Sequence, residues 1–378
     1  MNPTMNRRAF LAALGASAAL PSVALATAET DARLVVVLLR GGVDGLAMVP
    51  ATADPHFRAA RGTAAPESDG LPLDGPFALH PSLAPLLPLW ERHELLVAHA
   101  VGLPYQQRSH FDAQDMLETG FDRPLASDSG WLNRALSAAG RASPAMAVGR
   151  HVPLMLRGPA RATSVDPSRR SRLTPERIAH VRDVLADDPL LAAAIDEGLA
   201  TRALVDAVTV RRSRDLDTQA ATVAQLLARA DGPRVAVFDV GGWDTHTSQD
   251  RTLERQLAQL AQGLAAFADA DPTTWQQTMV VVVSEFGRTV AGNGTGGTDH
   301  GSGGAALVLG GAVHGKRVVA DWPGLRPGDL LEGRDLRTTT DVRSLLKGVL
   351  QAQLGLADDV LAAEVFPGSQ HVPTLAVG

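Results

Sequence analysis

Apolar runs that end in a polar or glycine-rich break recur along the chain. Residues 34–39 (LVVVLL) are unbroken and stop at Gly41-Gly42 and Asp44-Gly45. A run of this kind, without alternation, is what a central strand covered on both faces requires. The pattern returns at 95–101, in RVAVFDVGGWDTH (234–246) and in TMVVVVSEFGRT (278–289). GGAALVLGGAVHGKRVVADW (303–322) predicts two further strands. Between these runs the period changes to that of a helix, in TPERIAHVRDVLADD, DTQAATVAQLLARA and the strongly amphipathic RTLERQLAQLAQGLAAFADA. RSHFDAQDMLETG places Ser109 where a helix N-cap is expected, and TTTDVRSLLKGVLQAQLGL predicts a capped C-terminal helix. Strands alternating with helices predict an α/β fold, a three-layer sandwich around a mostly parallel sheet. With no linker or repeat, the pattern fits a single domain over 27–378 with a helical insertion about 174–230.

The first 26 residues stand apart. Arg7-Arg8, an apolar middle and Ala24-Leu25-Ala26 form a secretory signal whose core is too short for a stable membrane span. The paired arginines followed by Ala9-Phe10-Leu11 fit a twin-arginine signal; a general secretory signal or an N-terminal anchor is the rival reading. The expected destination is the periplasm or the exterior. The twin-arginine translocase is the partner during export, and no membrane span is left after removal. The 378 residues include no cysteine, which excludes disulfides, iron–sulfur clusters, thiolate zinc sites and a cysteine nucleophile. A dispersed net charge of −6 gives no nucleic-acid footprint.

The polar residues fall at strand ends. Asp44 follows the first run, Ser109-His110 the second, Asp244-Thr245-His246 the third and Glu285 the fourth. Asp299-His300 closes a long glycine-rich loop. Sites in open α/β sheets form beyond the carboxyl ends of parallel strands, so parallel strands would gather these clusters at one edge. Each also has a plainer role. Asp44 suits a turn, Ser109 a cap, and Asp299-His300 a hydrogen-bonded pair. Glu285, one residue beyond four valines, needs a partner; Arg288 is either that partner or a holder of an anionic substrate. Asp and His two apart beside Trp243 can reach one ion. Together the carboxylates and histidines point to a metal site.

The motifs LRGGVDGL, HAVGLPYQQRSHFDAQDMLETG, GGWDTH, SEFGRT and TDHGSGGA are similar to those of the bacterial family called domain of unknown function 1501, whose members commonly carry twin-arginine signals. Their order resembles, more distantly, the alkaline phosphatase and sulfatase superfamily. The resemblance implies an alkaline-phosphatase-like fold with Ser109 as nucleophile at a helix N-terminus. It implies Asp44, Asp244, His246, Glu285 and His300 as metal ligands. Two departures stand out: Asp244 and His246 are closer together than in the phosphatase pattern, and Phe286 stands where that pattern has a histidine. His110 and Asp299 are the side chains available to substitute, and Asp299 joins the expected ligand set.

The implied activity is hydrolysis of a small anionic ester, phosphate or sulfate. A metal would activate Ser109, and Arg288 or Arg108 would neutralise developing charge. Zinc is the first expectation for the ion, with calcium, manganese or magnesium as alternatives. Two rival readings are a non-catalytic periplasmic or cell-surface binding protein that keeps the fold, and a metal-free serine hydrolase. The latter lacks a G-x-S-x-G elbow.

Overall fold

The apolar runs become strands that are buried on both faces. In the computed structural model, which describes residues 31–141, 145–166, 174–185, 187–208 and 216–378, nine strands among those residues form the main sheet. They are β1 (Arg33–Leu39), β2 (Leu95–Gly102), β3 (Ala145–Val148), β4 (Ala162–Val165), β5 (Val235–Val240), β6 (Thr278–Val283), β7 (Gly304–Leu309), β8 (Arg317–Val319) and β9 (Thr340–Asp341). The order is β8-β2-β7-β6-β1-β5-β3-β4, with β9 beside β2. β7 is antiparallel to β6 and β2, and all the other pairs are parallel. The signal peptide expected at 1–26 lies outside the described residues. Residues Asp31–Gly378 form one compact unit.

Alternate residues of β1 face two separate cores. Val35, Val37 and Leu39 pack with α1 (Phe57–Arg61), α6 (Leu216–Ala228) and α7 (Gln249–Ala270). Leu34, Val36 and Leu38 pack with α2 (His110–Thr119), α3 (Trp131–Ala138) and α8 (Val342–Leu354). This is the expected three-layer sandwich. The stretch expected to be an insertion carries α4 (Pro175–Val184), α5 (Pro189–Asp206) and α6. Of these, α6 belongs to the sandwich itself, since Val223, Leu226 and Leu227 are core residues.

The topology settles where the polar clusters go. β1, β2, β5 and β6 run the same way, so the residues that follow each of them meet at one edge. Because β7 is antiparallel to β6, the segment joining them never leaves that edge. This segment folds back on itself: Gly301 N donates to Gly287 O, Gly287 N donates to Ser302 O (both 2.9 Å), and His300 comes to lie opposite Arg288. Gly301 is required there, because a Cβ would sit 2.4 Å from the backbone of Arg288. Gly41, at φ +127°, is required after β1, because a Cβ would lie 2.3 Å from Asp244 N. The two glycines therefore serve backbone-to-backbone packing of the loops that carry the site.

One core group gives the fold a pH dependence. His99 in β2 is fully buried, stacked on Phe77 and edge-on to Trp322, with Nε2 2.9 Å from Val49 O and Nδ1 accepting from Ala100 N. Burial pushes its imidazole from the ordinary 6.5 to about 4. Between those values the unfolded chain binds the extra proton, so this stability is present above pH 6.5 and is lost as pH falls through 4. The difference is worth about 3 kcal/mol. Urea unfolding at neutral pH and at about pH 4.5 should show most of that loss. His99→Asn is expected to be less stable at neutral pH and to show a shallower slope.

Candidate metal centre

Each imidazole at the edge is fixed through Nδ1. His110 opens α2 directly after the cap Ser109, and its Nδ1 lies 2.8 Å from Glu285 Oε1. His246 Nδ1 lies 3.2 Å from Asp299 Oδ1, and His300 Nδ1 lies 3.0 Å from the Arg108 carbonyl. Carboxylates and a carbonyl only accept, so in a neutral ring the proton sits on Nδ1 and Nε2 is left with its lone pair. Those atoms then converge. His300 Nε2 is 3.1 Å from His110 Nε2, 3.0 Å from His246 Nε2 and 3.1 Å from Asp244 Oδ1. Asp244 Oδ1 is also 3.0 Å from His246 Nε2, and its Oδ2 is 3.5 Å from His110 Nε2. Ligand atoms of His110, Asp244 and His300 all lie within 4.8 Å of one another.

Lone pairs aimed at one another repel unless a cation or a shared proton lies between them. Three imidazoles and a carboxylate, each imidazole with its far nitrogen bound to an acceptor, form a donor set that fits a divalent ion. The hydrogen bond to Glu285 raises the His110 imidazole against its partial burial. Burial pushes the His300 imidazole down. Burial opposes ionisation of Asp244, but Arg288 and the imidazoles outweigh it and hold its carboxyl below the usual range. Burial likewise opposes the charge on Glu285, yet hydrogen bonds from His110, Gln114 and backbone amides, including Gly41 N, bring its carboxyl down to about 2.

The expected site residues separate into two groups. Asp244, His246 and His300 meet at the cluster with Ser109 beside it in sequence. Glu285 and Asp299, expected as ligands, instead hold the Nδ1 atoms of His110 and His246. Asp44 is not brought into the group. Its Oδ2 accepts from Arg61 and from Gln249, both at 2.8 Å, and its Oδ1 accepts from Ala47 N. It is 1% exposed, so its cation is a guanidinium.

The two arginines expected to touch substrate do other work. Arg288 is the partner of Asp244 rather than of Glu285. Its guanidinium has no exposed surface and donates to the carbonyls of Gly41, Gly42, Trp243 and Thr298, which ties three loops together. Arg108 pairs with Asp335 and Glu332 and offers the cluster only its carbonyl.

His110 was missing from the expected ligand set. The sequence pointed to it only through Phe286, which stands where the phosphatase pattern has a histidine and left His110 and Asp299 as the side chains available to substitute. The Phe286 ring lies 4.7 Å from that of His110 and 5.0 Å from that of His300, an apolar wall against both. Gln114, four residues after His110 and so on the same helix face, was missed as well.

The holders give a graded expectation. Glu285→Gln keeps the shape but removes the negative charge that faces Nδ1 of His110, and should weaken metal binding by about 10- to 100-fold. Asp299→Asn should cost less, because that side chain is 51% exposed and solvent screens it. Competition with a chromogenic chelator measures both. Equal effects would contradict the assignment.

Residues 80–365 match the family model described as protein of unknown function DUF1501. The chain belongs to that family. No match was found among curated proteins. Solved structures show distant likenesses. One is a Bacteroides thetaiotaomicron protein of glycosaminoglycan metabolism (TM-score 0.43, 10% identity, 91% of this chain and 75% of that one). Another is the phosphonate monoester hydrolase of Agrobacterium radiobacter (TM-score 0.41, 11% identity, 86% and 74%). A third is TAB5 alkaline phosphatase (TM-score 0.35, 11% identity, 74% and 90%). At these scores no activity is carried across to the present family member.

Proposed function

We propose that this family member is an exported, metal-dependent hydrolase of phosphate or sulfate esters. One observation carries the reading: three Nε2 atoms converge beside Asp244 while each Nδ1 is held by an acceptor. His110, Asp244, His246 and His300 hold the ion. Zinc suits three imidazoles and a carboxylate, whereas calcium and magnesium favour oxygen; manganese is the next alternative. When bound, the ion supplies Lewis-acid stabilisation of the ester's anionic oxygens. Glu285, Asp299 and Arg108 position the imidazoles, and Arg288 positions Asp244.

Ser109 is the nucleophile in this reading. It precedes His110 directly, at the N-terminus of α2, where amide dipoles favour a negative oxygen. Its capping bond from Asp112 N is long, 3.5 Å, so Oγ is only weakly spent on the helix. Residues 1–26 serve as the twin-arginine signal that sends the folded chain through the translocase to the periplasm or beyond. Among the described residues no helix is long and apolar enough to cross a membrane.

The test is Ser109→Ala in metal-loaded protein, assayed on phosphate and sulfate mono- and diesters. Activity should fall by about a thousandfold or more, with metal content and unfolding midpoint close to native. Intact activity would remove the covalent route.

A further inference from the structure

His300 is held by its ring and by its backbone. Its Nδ1 lies 3.0 Å from the Arg108 carbonyl, and its own carbonyl accepts from the Arg334 guanidinium at 2.8 Å. Both arginines meet one carboxylate. Asp335 Oδ2 accepts from Arg108 Nε at 2.8 Å, and its Oδ1 stands 3.4 Å from Arg334 Nη1. The same Oδ2 accepts at 3.1 Å from the hydroxyl of Ser302, two residues beyond His300. The Asp335 side chain has no exposed surface, whereas those of Arg108 and Arg334 are 20% and 38% exposed. The backbone repeats the arrangement. Val290 N donates to Arg334 O and Gly303 N to Leu336 O, which straps the turn around Asp335 onto the loop that carries His300.

Arg108 needs such an anchor. It holds φ +60°, a left-handed conformation that a non-glycine residue rarely keeps unless its surroundings over-determine it. The direction of its carbonyl depends on that conformation, and this carbonyl is what meets the His300 ring. Resting on the metal-centre reading above, we propose that Asp335 is a positioning residue of that centre. It holds Arg108 in the left-handed conformation, so that the Arg108 carbonyl keeps His300 Nε2 aimed at the ion. Asp335 acts through Arg108 and not by contact with the ion. Glu332, the other carboxylate on Arg108, is not its equivalent, because its side chain is 59% exposed and solvent screens it.

Two readouts test this together: zinc affinity by competition with a chromogenic chelator, and the visible spectrum of the cobalt(II)-substituted protein. A merely structural carboxylate would lower the unfolding midpoint and leave both readouts unchanged in the folded protein. Asp335→Ala should weaken zinc binding by about 10- to 100-fold and alter the cobalt bands. It strands no guanidinium in the core, since both arginines reach solvent. Arg108→Ala/Asp335→Ala should bind zinc within about twofold of Asp335→Ala, because the first loss already releases Arg108. Glu332→Gln should stay within about twofold of native protein. If Asp335→Ala does not fold, Asp335→Asn, which keeps the shape and an acceptor for Ser302, should show a loss of about tenfold. Native zinc affinity and an unchanged cobalt spectrum in a folded Asp335 variant would overturn the proposal. So would effects of Asp335→Ala and Arg108→Ala that multiply in the double variant. Native protein that binds neither zinc nor cobalt would instead sink the metal centre, and the role of Asp335 with it.

Discussion

Replacing His110 with alanine is expected to release the bound ion while leaving the protein folded. His110 supplies one of four side chains at the cluster, and its Nε2 stands 3.1 Å from that of His300. It lies in the first turn of α2 and is only partly buried, so little core packing is lost. Glu285 loses one donor but keeps those of Gln114 and Gly41, so no bare carboxylate is left behind. Metal affinity should fall by about a hundredfold or more, beyond the range typical of losing an outer partner. Elemental analysis after dialysis against a weak chelator reads the loss directly. Phe286→His would place an imidazole beside the same cluster. Retention of the ion by Phe286→His/His110→Ala, but not by His110→Ala alone, would show that the ring and not the helix start is what matters.

Asp44→Ala should behave in the opposite way. The resemblance to phosphatases makes Asp44 a ligand, and its loss would then empty the site. The geometry makes it the counter-charge of Arg61, and both side chains are fully buried. Removing one member of such a pair leaves an uncompensated charge and costs about 3–5 kcal/mol. Gln249 loses an acceptor as well. The variant should therefore unfold at markedly lower denaturant, yet the folded fraction should carry as much metal as native protein. A stable variant without metal would return Asp44 to the ligand set. Asp44→Asn, which keeps one oxygen for Gln249, should be less damaging.

The contrast between His110 and Asp44 shows what the chain discloses by itself. Strands β1, β2, β5 and β6 are legible because a strand covered on both faces admits few polar residues, so its run is almost wholly apolar. The Ser109 cap was legible because a hydroxyl before a helical period has one common use. The direction of β7 was not, since its apolar residues read the same whichever way the strand runs. Nor could the carboxylates be sorted into ligands and holders. Glu285 and Asp244 both follow strands, and the difference is which nitrogen of which ring each one meets. Arg288 after β6 reads as a partner of Glu285 or a holder of an anionic substrate, and only the folded loops surround it with carbonyls. The partner of Asp44 is seventeen residues away on a separate short helix, and no spacing rule links the two.

The central claim is that His110, Asp244, His246 and His300 together hold a divalent ion. It is tested most directly by elemental analysis of native protein purified without added metal or chelator, beside His300→Ala. The account predicts a stoichiometric divalent ion, zinc first, in the native protein and its loss from the variant. A folded native protein with no stoichiometric metal, or a variant that retains the full complement, would contradict it.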